Sequence, residues 1–254
     1  MKIRILGCYG GKLPKYRTCS FLINDSLLID AGAIAAVLNL REQLKIRHIL
    51  VSHAHLDHIK DIPFLADNIF FENTHSVNVI STHRIIEQMR KHLLNNLIWP
   101  DFTIMPTKKA PILKAKPIRV GREIKLDGIT VKAIKVNHTV ETVGYIIRDG
   151  KSAFVYSGDT GPTERLWKEV NKIKNLKAIF IETSFPDGMS RTAEASRHFT
   201  PVTMKRELKK INHSHVPIYV YHLKPQYIKA IQKEIKAFRD PNITILAPET
   251  IFKF

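Results

Sequence analysis

The stretch ILVSHAHLDHIKD, residues 49–61, ends an apolar, β-branched run in three histidines and an aspartate spread over six residues. On an extended backbone side chains alternate with period two, so His53 and His55 leave the strand on the same side. Asp57 and His58 follow at the turn into IKDIPFLADNIF, and four groups able to bind metal therefore meet at one strand end. Imidazole and carboxylate together, with no cysteine near them in the sequence, suit zinc, iron or manganese, and zinc is the commonest choice for hydrolysis. A lone histidine would carry no such weight. Three more ligand types each follow a β run: His138 in KVNHTVETVGY, Asp159 in VYSGDTGP and His222 in YVYHLKPQY. If those strands share one sheet edge, their loops meet.

The composition sets the frame for this cluster. A chain of 254 residues, 44% hydrophobic, can bury a sizeable core. With no low-complexity linker and no internal repeat, residues 1–254 read as one domain. The longest apolar run, AGAIAAVLNL, falls short of the roughly 18 residues a membrane span needs, which argues against a membrane protein. The opening MKIRILGCYGG lacks the apolar segment of about 7–15 residues used for export, so we expect a first strand there and a cytoplasmic location. Cys8 and Cys19 are too few for a disulfide framework and are expected to be reduced and buried. Against 23 acidic residues stand 40 lysines and arginines, a net charge of +17 that favours anionic ligands and leaves room for nucleic acid. Part of that excess lies in residues 108–125, which face a single acid, Glu123. This segment is either a solvated basic surface or a rim that attracts phosphate.

Strand-like runs dominate: KIRIL, CSFLI, LLID, IRHILV, VNVIS, ITVKAIKV, VGYIIR, SAFVYS, AIFIE, PIYVY and ITIL. Asp127-Gly128 and Asp149-Gly150 sit between such runs and predict hairpins. Helical spacing covers residues 33–44, 83–94, 163–173, 202–211 and 226–238, the last three behind Pro162, Pro201 and Pro225. Alternation of strand and helix in the second half predicts helices covering sheet faces. Residues 97–117, with Pro100, Pro106, Pro111 and Pro117, read as a flap or a plain connection.

Taken in order, the H-x-H-x-D-H loop, the later histidine, the later aspartate and the final histidine resemble the metallo-β-lactamase superfamily over nearly the whole chain. The resemblance implies an α/β (α+β) fold, a four-layer αββα sandwich of two mixed β-sheets, with a dinuclear site along one edge. It also implies that His53, His55 and His138 bind one divalent metal, that Asp57, His58 and His222 bind the other, and that Asp159 bridges them. Zinc is the expected ion, manganese or iron the alternatives. Such a pair, about 3.5–4 Å apart, turns a bridging water into hydroxide at neutral pH, which makes hydrolysis the expected reaction.

Further stretches narrow the substrate. IETSFPDGMSRTAEASRHFTPVTMKRELKKI, followed by IYVYHLKPQY, looks similar to the class II cyclic-nucleotide phosphodiesterases, as do the opening LGCYGG, CSFLI and LIDAG. This implies hydrolysis of 3′,5′-cyclic AMP or GMP, a small anionic phosphodiester, by a soluble enzyme that leaves room for a homodimer. Arg197 departs from the family, which usually carries glycine before the histidine. His198 lies outside the seven metal positions and is the candidate to assist the departing ribose oxygen, while Asp57 is the candidate to orient or deprotonate the nucleophile. Ser184 and Lys224 are candidate phosphate contacts, with Thr183 a weaker one, and Thr200 reads as a helix cap at Pro201. An RNA-processing endonuclease of the tRNA 3′-end type is the alternative, favoured by the charge. A non-catalytic nucleic-acid-binding metalloprotein also accounts for the charge but leaves the ligand set without a use.

Overall fold

Alternation of apolar side chains along short strands builds two sheets with a shared interior. The computed structural model describes residues 1–72 and 74–254. Among the described residues, one seven-stranded sheet contains β1 (Lys2–Gly7), β2 (Ser20–Ile23), β3 (Leu27–Ile29), β4 (His48–Leu50), β5 (Val77–Ser81) and β6 (Leu113–Pro117). The other holds β7 (Glu123–Leu126), β8 (Ile129–Lys135), β9 (Val143–Arg148), β10 (Ala153–Tyr156), β11 (Leu176–Glu182), β12 (Ile218–Tyr221) and β13 (Ile243–Ile245). A last strand, β14 (Ile251–Lys253), returns to the first sheet, whose order is β14-β1-β2-β3-β4-β5-β6; the second runs β13-β12-β11-β10-β9-β8-β7. Both sheets are mixed. The strands from β3 to β6 and from β10 to β13 run parallel to their neighbours, and the remaining pairs are antiparallel.

Phe21, Ile23, Leu27, Ile29 and Leu50 of the first sheet pack against Val131, Tyr145, Phe154, Tyr156 and Phe180 of the second, forming the interior between the sheets. The intervening residues point outward. Leu22, Leu28, Ile49 and Val51 meet Ile62, Leu65, Ile85 and Met89 from helices Asp61–Asn68 and His83–His92. Val155, Ile179, Ile181 and Val220 meet Leu166, Trp167, Met204, Ile231 and Ile235 from helices Arg165–Val170, Pro201–Leu208 and Ile228–Ala237. The chain therefore forms the expected helix–sheet–sheet–helix sandwich, and its strands are apolar on both faces because each face is covered. Cys8 and Cys19 are both buried, free thiols. No described helix is long and apolar enough to cross a membrane.

Asp127 and Gly128, with φ of 44° and 84°, close the two-residue hairpin between β7 and β8 as expected for an Asp-Gly turn. Other expectations need correction. Residues 33–44 are not one helix: only Leu40–Gln43 is helical, started by a capping box of Asn39 and Glu42. Ala33, Ile34 and Leu38 are buried from turns instead, so their spacing reports core contacts and not a helical face. A helix that the spacing does not predict, Asp61–Asn68, contains Pro63; in the first turn a proline removes no helical hydrogen bond. Residues 97–117 end in strand β6, whose sequence LKAKP hides its β character. That strand and β7 are the outermost strands of their sheets, so Lys114, Lys116 and Lys125 lie where lysines discourage edge pairing.

The turn after β3 docks directly on the histidine loop. Ala31 N–H donates to the His58 carbonyl at 2.6 Å, and Asp61 N–H donates to the Ala31 carbonyl at 2.9 Å. At Gly32 an added Cβ would stand 2.2 Å from the Asp57 carbonyl oxygen and 2.5 Å from Thr18 Oγ1. Backbone cannot yield as a flexible side chain would. Gly32→Ala is therefore expected to destabilise the fold by about 2–3 kcal/mol, lowering the melting temperature by roughly 5–10 °C, measured by circular dichroism.

Candidate metal centre

The histidine loop leaves β4, His138 follows β8, Asp159 follows β10, and His222 follows β12, so the loops of both sheets meet at one edge. The donor atoms of His53, His55 and His138 lie within 4.8 Å of one another, and so do those of His53, His58 and Asp159. Asp159 Oδ2 lies 3.7 Å from His53 Nε2, 3.4 Å from His58 Nε2 and 3.1 Å from His222 Nε2. Asp57 Oδ2 lies 3.3 Å from His222 Nε2 and 3.6 Å from His58 Nε2. All seven residues singled out as ligands thus share one cluster, with Asp159 between the group around His53 and the group around His58 and His222.

The hydrogen bonds behind these rings fix which nitrogen faces inward. Asp30, wholly buried at the end of β3, accepts at Oδ2 from Ser52 Oγ at 2.8 Å, Tyr156 OH at 2.7 Å and His58 Nδ1 at 2.7 Å. Because the single Ser52 hydroxyl proton is given to Asp30, His53 Nδ1 must donate to Ser52 Oγ, 3.0 Å away. Ser184 repeats the arrangement: its hydroxyl donates to Glu182 Oε2 at 3.2 Å and accepts from His222 Nδ1 at 2.8 Å. His138 Nδ1 donates to the Arg197 carbonyl at 3.2 Å. In His53, His58, His138 and His222 the Nε2 atom is thereby turned to the centre, as partners behind a metal ligand turn it.

Two observations test whether this cluster fits metal. His53 Nε2 and Asp159 Oδ1 are buried atoms with no hydrogen-bond partner, a costly state unless a cation fills it. The charges point the same way. Burial pushes the Asp57 and Asp159 carboxyls up, yet neighbouring His58 and His222 outweigh it and hold both well below the usual carboxylate range. Burial draws His53 and His55 down and His138 to about 4, leaving neutral imidazoles ready to ligate. At His58 burial is outweighed by Asp159, Asp57 and Asp30, which raise it, so a proton stands there where a cation would. The donor set fits hard or borderline divalent ions.

His198 is placed beside the cluster and held by a residue that the sequence reading gave no role. Its Nδ1 lies 2.6 Å from Glu182 Oε1, and Glu182 is wholly buried at the end of β11. Burial pulls His198 down, but the Glu182 charge and hydrogen bond outweigh it and raise it. The ring stacks 5.4 Å from His222 and lies 4.9 Å from His138, and a His198 ring nitrogen lies within 4.8 Å of the His138 and Asp159 donor atoms. Asp30 and Glu182 each carried one signal in the sequence, an acid closing an otherwise apolar strand, in LLID and AIFIE. Cys19, distant in sequence, also comes within 4.8 Å of the His58 and His222 donors. Burial and the nearby aspartates push its thiol well up, which keeps it protonated and apolar in character.

Ser184 is fully enclosed, its hydroxyl in contact with Glu182, His222 and, at 3.1 Å, His198 Nδ1, and Lys224 Nζ donates to the Gly10 carbonyl at 3.0 Å. Thr200 caps the helix at Pro201, accepting from Thr203 N–H. Arg197, at the place where the resembled loop carries glycine, has φ of 54°, a left-handed conformation that glycine adopts freely. Its guanidinium donates to the His138 carbonyl at 2.7 Å while its own carbonyl accepts from the His138 ring. Arginine thus clamps the loop of a candidate ligand at a strained position.

The chain is 27% identical over 226 residues to 3′,5′-cyclic-nucleotide phosphodiesterase 1 of Saccharomyces cerevisiae, covering 77% of this chain and 58% of that protein. It is 24% identical over 277 residues to a zinc phosphodiesterase ELAC protein 2 homolog of Caenorhabditis elegans, covering 90% of this chain and 32% of that protein. The matches thus span less than two thirds of the length of these relatives. The crystal structure of unliganded yeast PDE1 superposes with a TM-score of 0.81 at 21% identity, covering 98% of each chain, and shares the fold. A beta-lactamase superfamily domain matches residues 26–222, most of the chain and all seven clustered ligand candidates. The chain belongs to the beta-lactamase superfamily.

Proposed function

We propose that this chain is a metal-dependent phosphodiesterase that hydrolyses 3′,5′-cyclic nucleotides. The observation that carries the reading is the buried Asp159 carboxylate between two groups of inward-turned imidazoles, with a Glu182-held His198 at its side. The kinship with a protein named 3′,5′-cyclic-nucleotide phosphodiesterase 1 supports the substrate class. His53, His55 and His138 would hold one divalent ion, Asp57, His58 and His222 the other, with Asp159 shared. When bound, such a pair supplies a hydroxide nucleophile at neutral pH and offsets charge at phosphorus.

The remaining steps belong to the side chains. Asp57, 30% exposed where Asp159 is enclosed, is the carboxylate placed to orient that hydroxide by accepting its hydrogen bond. Oxygen attacks phosphorus and the bond from phosphorus to the ribose 3′ oxygen breaks. His198, fixed through Nδ1 by Glu182, gives its Nε2 proton to that oxygen, and the product is a nucleoside 5′-monophosphate. Ser184 acts behind His222 as a positioning residue, and Lys224 adds positive charge near the final histidine.

A second reading, an endonuclease acting on RNA, is favoured by the net charge of +17 and the kinship with a zinc phosphodiesterase ELAC protein 2 homolog. Incubation with cyclic AMP, cyclic GMP, 2′,3′-cyclic nucleotides, bis(p-nitrophenyl) phosphate and a precursor tRNA separates the two. Turnover of the 3′,5′-cyclic nucleotides is expected; cleavage of the precursor alone would replace this reading with the nuclease.

Elemental analysis of the purified protein is expected to find about two divalent ions per chain. Asp159→Ala should bind fewer than one and lose turnover, since each ion then lacks a shared anionic ligand; retained turnover at full metal content would remove the bridging role. His198→Ala should keep its metal and slow cyclic-nucleotide hydrolysis about 10²–10⁴-fold. Its loss on bis(p-nitrophenyl) phosphate should be much smaller, because p-nitrophenolate leaves without a proton. Equal losses on both esters would assign His198 to charge stabilisation instead.

A further inference from the structure

The cations of residues 108–125 gather on one side of the sandwich. β6 and β7 are the outermost strands of the two sheets, and residues 118–122 join them in a short turn. Ile118 N–H donates to the Ser81 carbonyl and Gly121 N–H to the Ala133 carbonyl, both at 2.8 Å, which seats the turn on both sheets. Seven lysines and arginines fall between positions 108 and 125, and all seven are exposed. Among the described residues none of the seven makes an ion pair or a side-chain hydrogen bond. The neighbouring acids are already engaged: Glu123 by Arg148, and Asp127, whose Oδ2 lies 3.2 Å from His48 Nε2. The positive charge of this side therefore has no counter-charge from the chain. Protection of sheet edges accounts for the lysines on β6 and β7. It does not account for Lys108, Lys109, Arg119 and Arg122, which stand in the loops at either end of β6.

Strand direction ties this side to the metal cluster. β6 runs parallel to β5 and β4, so it ends at the edge where β4 releases the histidine loop. β7 runs antiparallel to β8 and starts at the edge where β8 delivers His138. Arg119 and Arg122 therefore lie on the edge that carries the cluster, two strand spacings or roughly 10 Å from β4. Lys108 and Lys109 precede β6 and lie toward the opposite edge, about 16 Å away along a strand of this length. The cations thus form a stripe up the side of the sandwich that ends beside the candidate ligands. We propose that this stripe is a docking track for a single-stranded nucleic acid, whose phosphates supply the missing counter-charges. An anionic membrane would match the charge equally, but a track that ends at a site for phosphodiester chemistry fits a ligand that is itself a chain of phosphodiesters. That choice of occupant rests on the phosphodiesterase reading; the unpaired stripe does not.

The test is binding as a function of salt, independent of turnover. Fluorescence anisotropy of a labelled single-stranded RNA with the purified chain should show an affinity that falls steeply with salt, each neutralised phosphate contributing about 0.7 to the logarithmic slope. Arg119→Glu/Arg122→Glu and Lys108→Glu/Lys109→Glu should each lower that slope by about 1.4. Lys229→Glu/Lys233→Glu makes the same change of charge on helix Ile228–Ala237, which covers β12 at the other end of the second sheet, and should leave the slope unchanged. Circular dichroism checks that each variant is folded. No binding by the unaltered protein, an equal loss in all three variants, or unchanged slopes in both stripe variants would overturn the track. Loss of binding to phosphatidylserine vesicles with RNA binding intact would assign the stripe to a membrane instead. The expected slopes in a protein that does not hydrolyse cyclic AMP would uphold the track and remove the proposed reaction.

Discussion

The carboxylate of Asp30 is the point on which the architecture of the site turns. It accepts from the backbone N–H and hydroxyl of Ser52, from Tyr156 and from His58, with every distance between 2.7 and 2.8 Å. Three of these donors come from the β3–β4 side and the fourth, Tyr156, from β10 of the opposite sheet. A buried anion is tolerated only when its lone pairs are filled, and here filling them aligns the two sheets and orients one ring of the cluster in a single network. Through Ser52 the same network reaches His53, so two candidate ligands inherit their orientation from one aspartate that does not itself belong to the cluster.

Strain gathers along the same edge. Asp30, Arg197 and His222 all have left-handed backbone, with φ of 56°, 54° and 66°. Residues without glycine's freedom in that region typically carry about 1–3 kcal/mol each and persist where their surroundings fix them. At Asp30 the four donors do so, at His222 the Ser184 hydroxyl, and at Arg197 the reciprocal bonds to His138. The inward aim of the side chains is thus maintained against local backbone preference by hydrogen bonds outside the cluster, and the sandwich supplies the rigidity that makes this stable.

Much of this was legible from the residues, and the reason differs from place to place. His53 and His55 on one side of a strand follow from the period of extended backbone, and their convergence with His138, Asp159 and His222 follows once the β runs share an edge. Strands buried on both faces announce themselves as apolar runs, so β2, β3, β4 and β10 were plain. Edge strand β6 was not, because lysine and proline there answer a demand of solvent and not of packing. Residues 33–44 misled for the opposite reason: Ala33, Ile34 and Leu38 are apolar because turns bury them. Asp30 and Glu182 could be seen only as acids at strand ends; their partners are 22 and 126 residues away for Ser52 and Tyr156, and 16 away for His198. A pattern read locally cannot assign such pairs. The meaning of Arg197 likewise needed its backbone angle, which no side-chain chemistry encodes.

The return of β14 to pair with β1 has a consequence for how the chain acquires its shape. Lys2, Ile3 and Arg4 lie opposite Lys253, Phe252 and Ile251, a ladder between the two most distant parts of the sequence. During synthesis, β1 through β6 can assemble with their covering helices while the outer backbone groups of β1 have no partner. An open strand edge of that kind is a template for pairing with another chain. The nascent protein therefore passes through an interval, the whole length of the second sheet, in which β1 is exposed to misassembly. That vulnerability ends only when residues 251–253 emerge and close the edge.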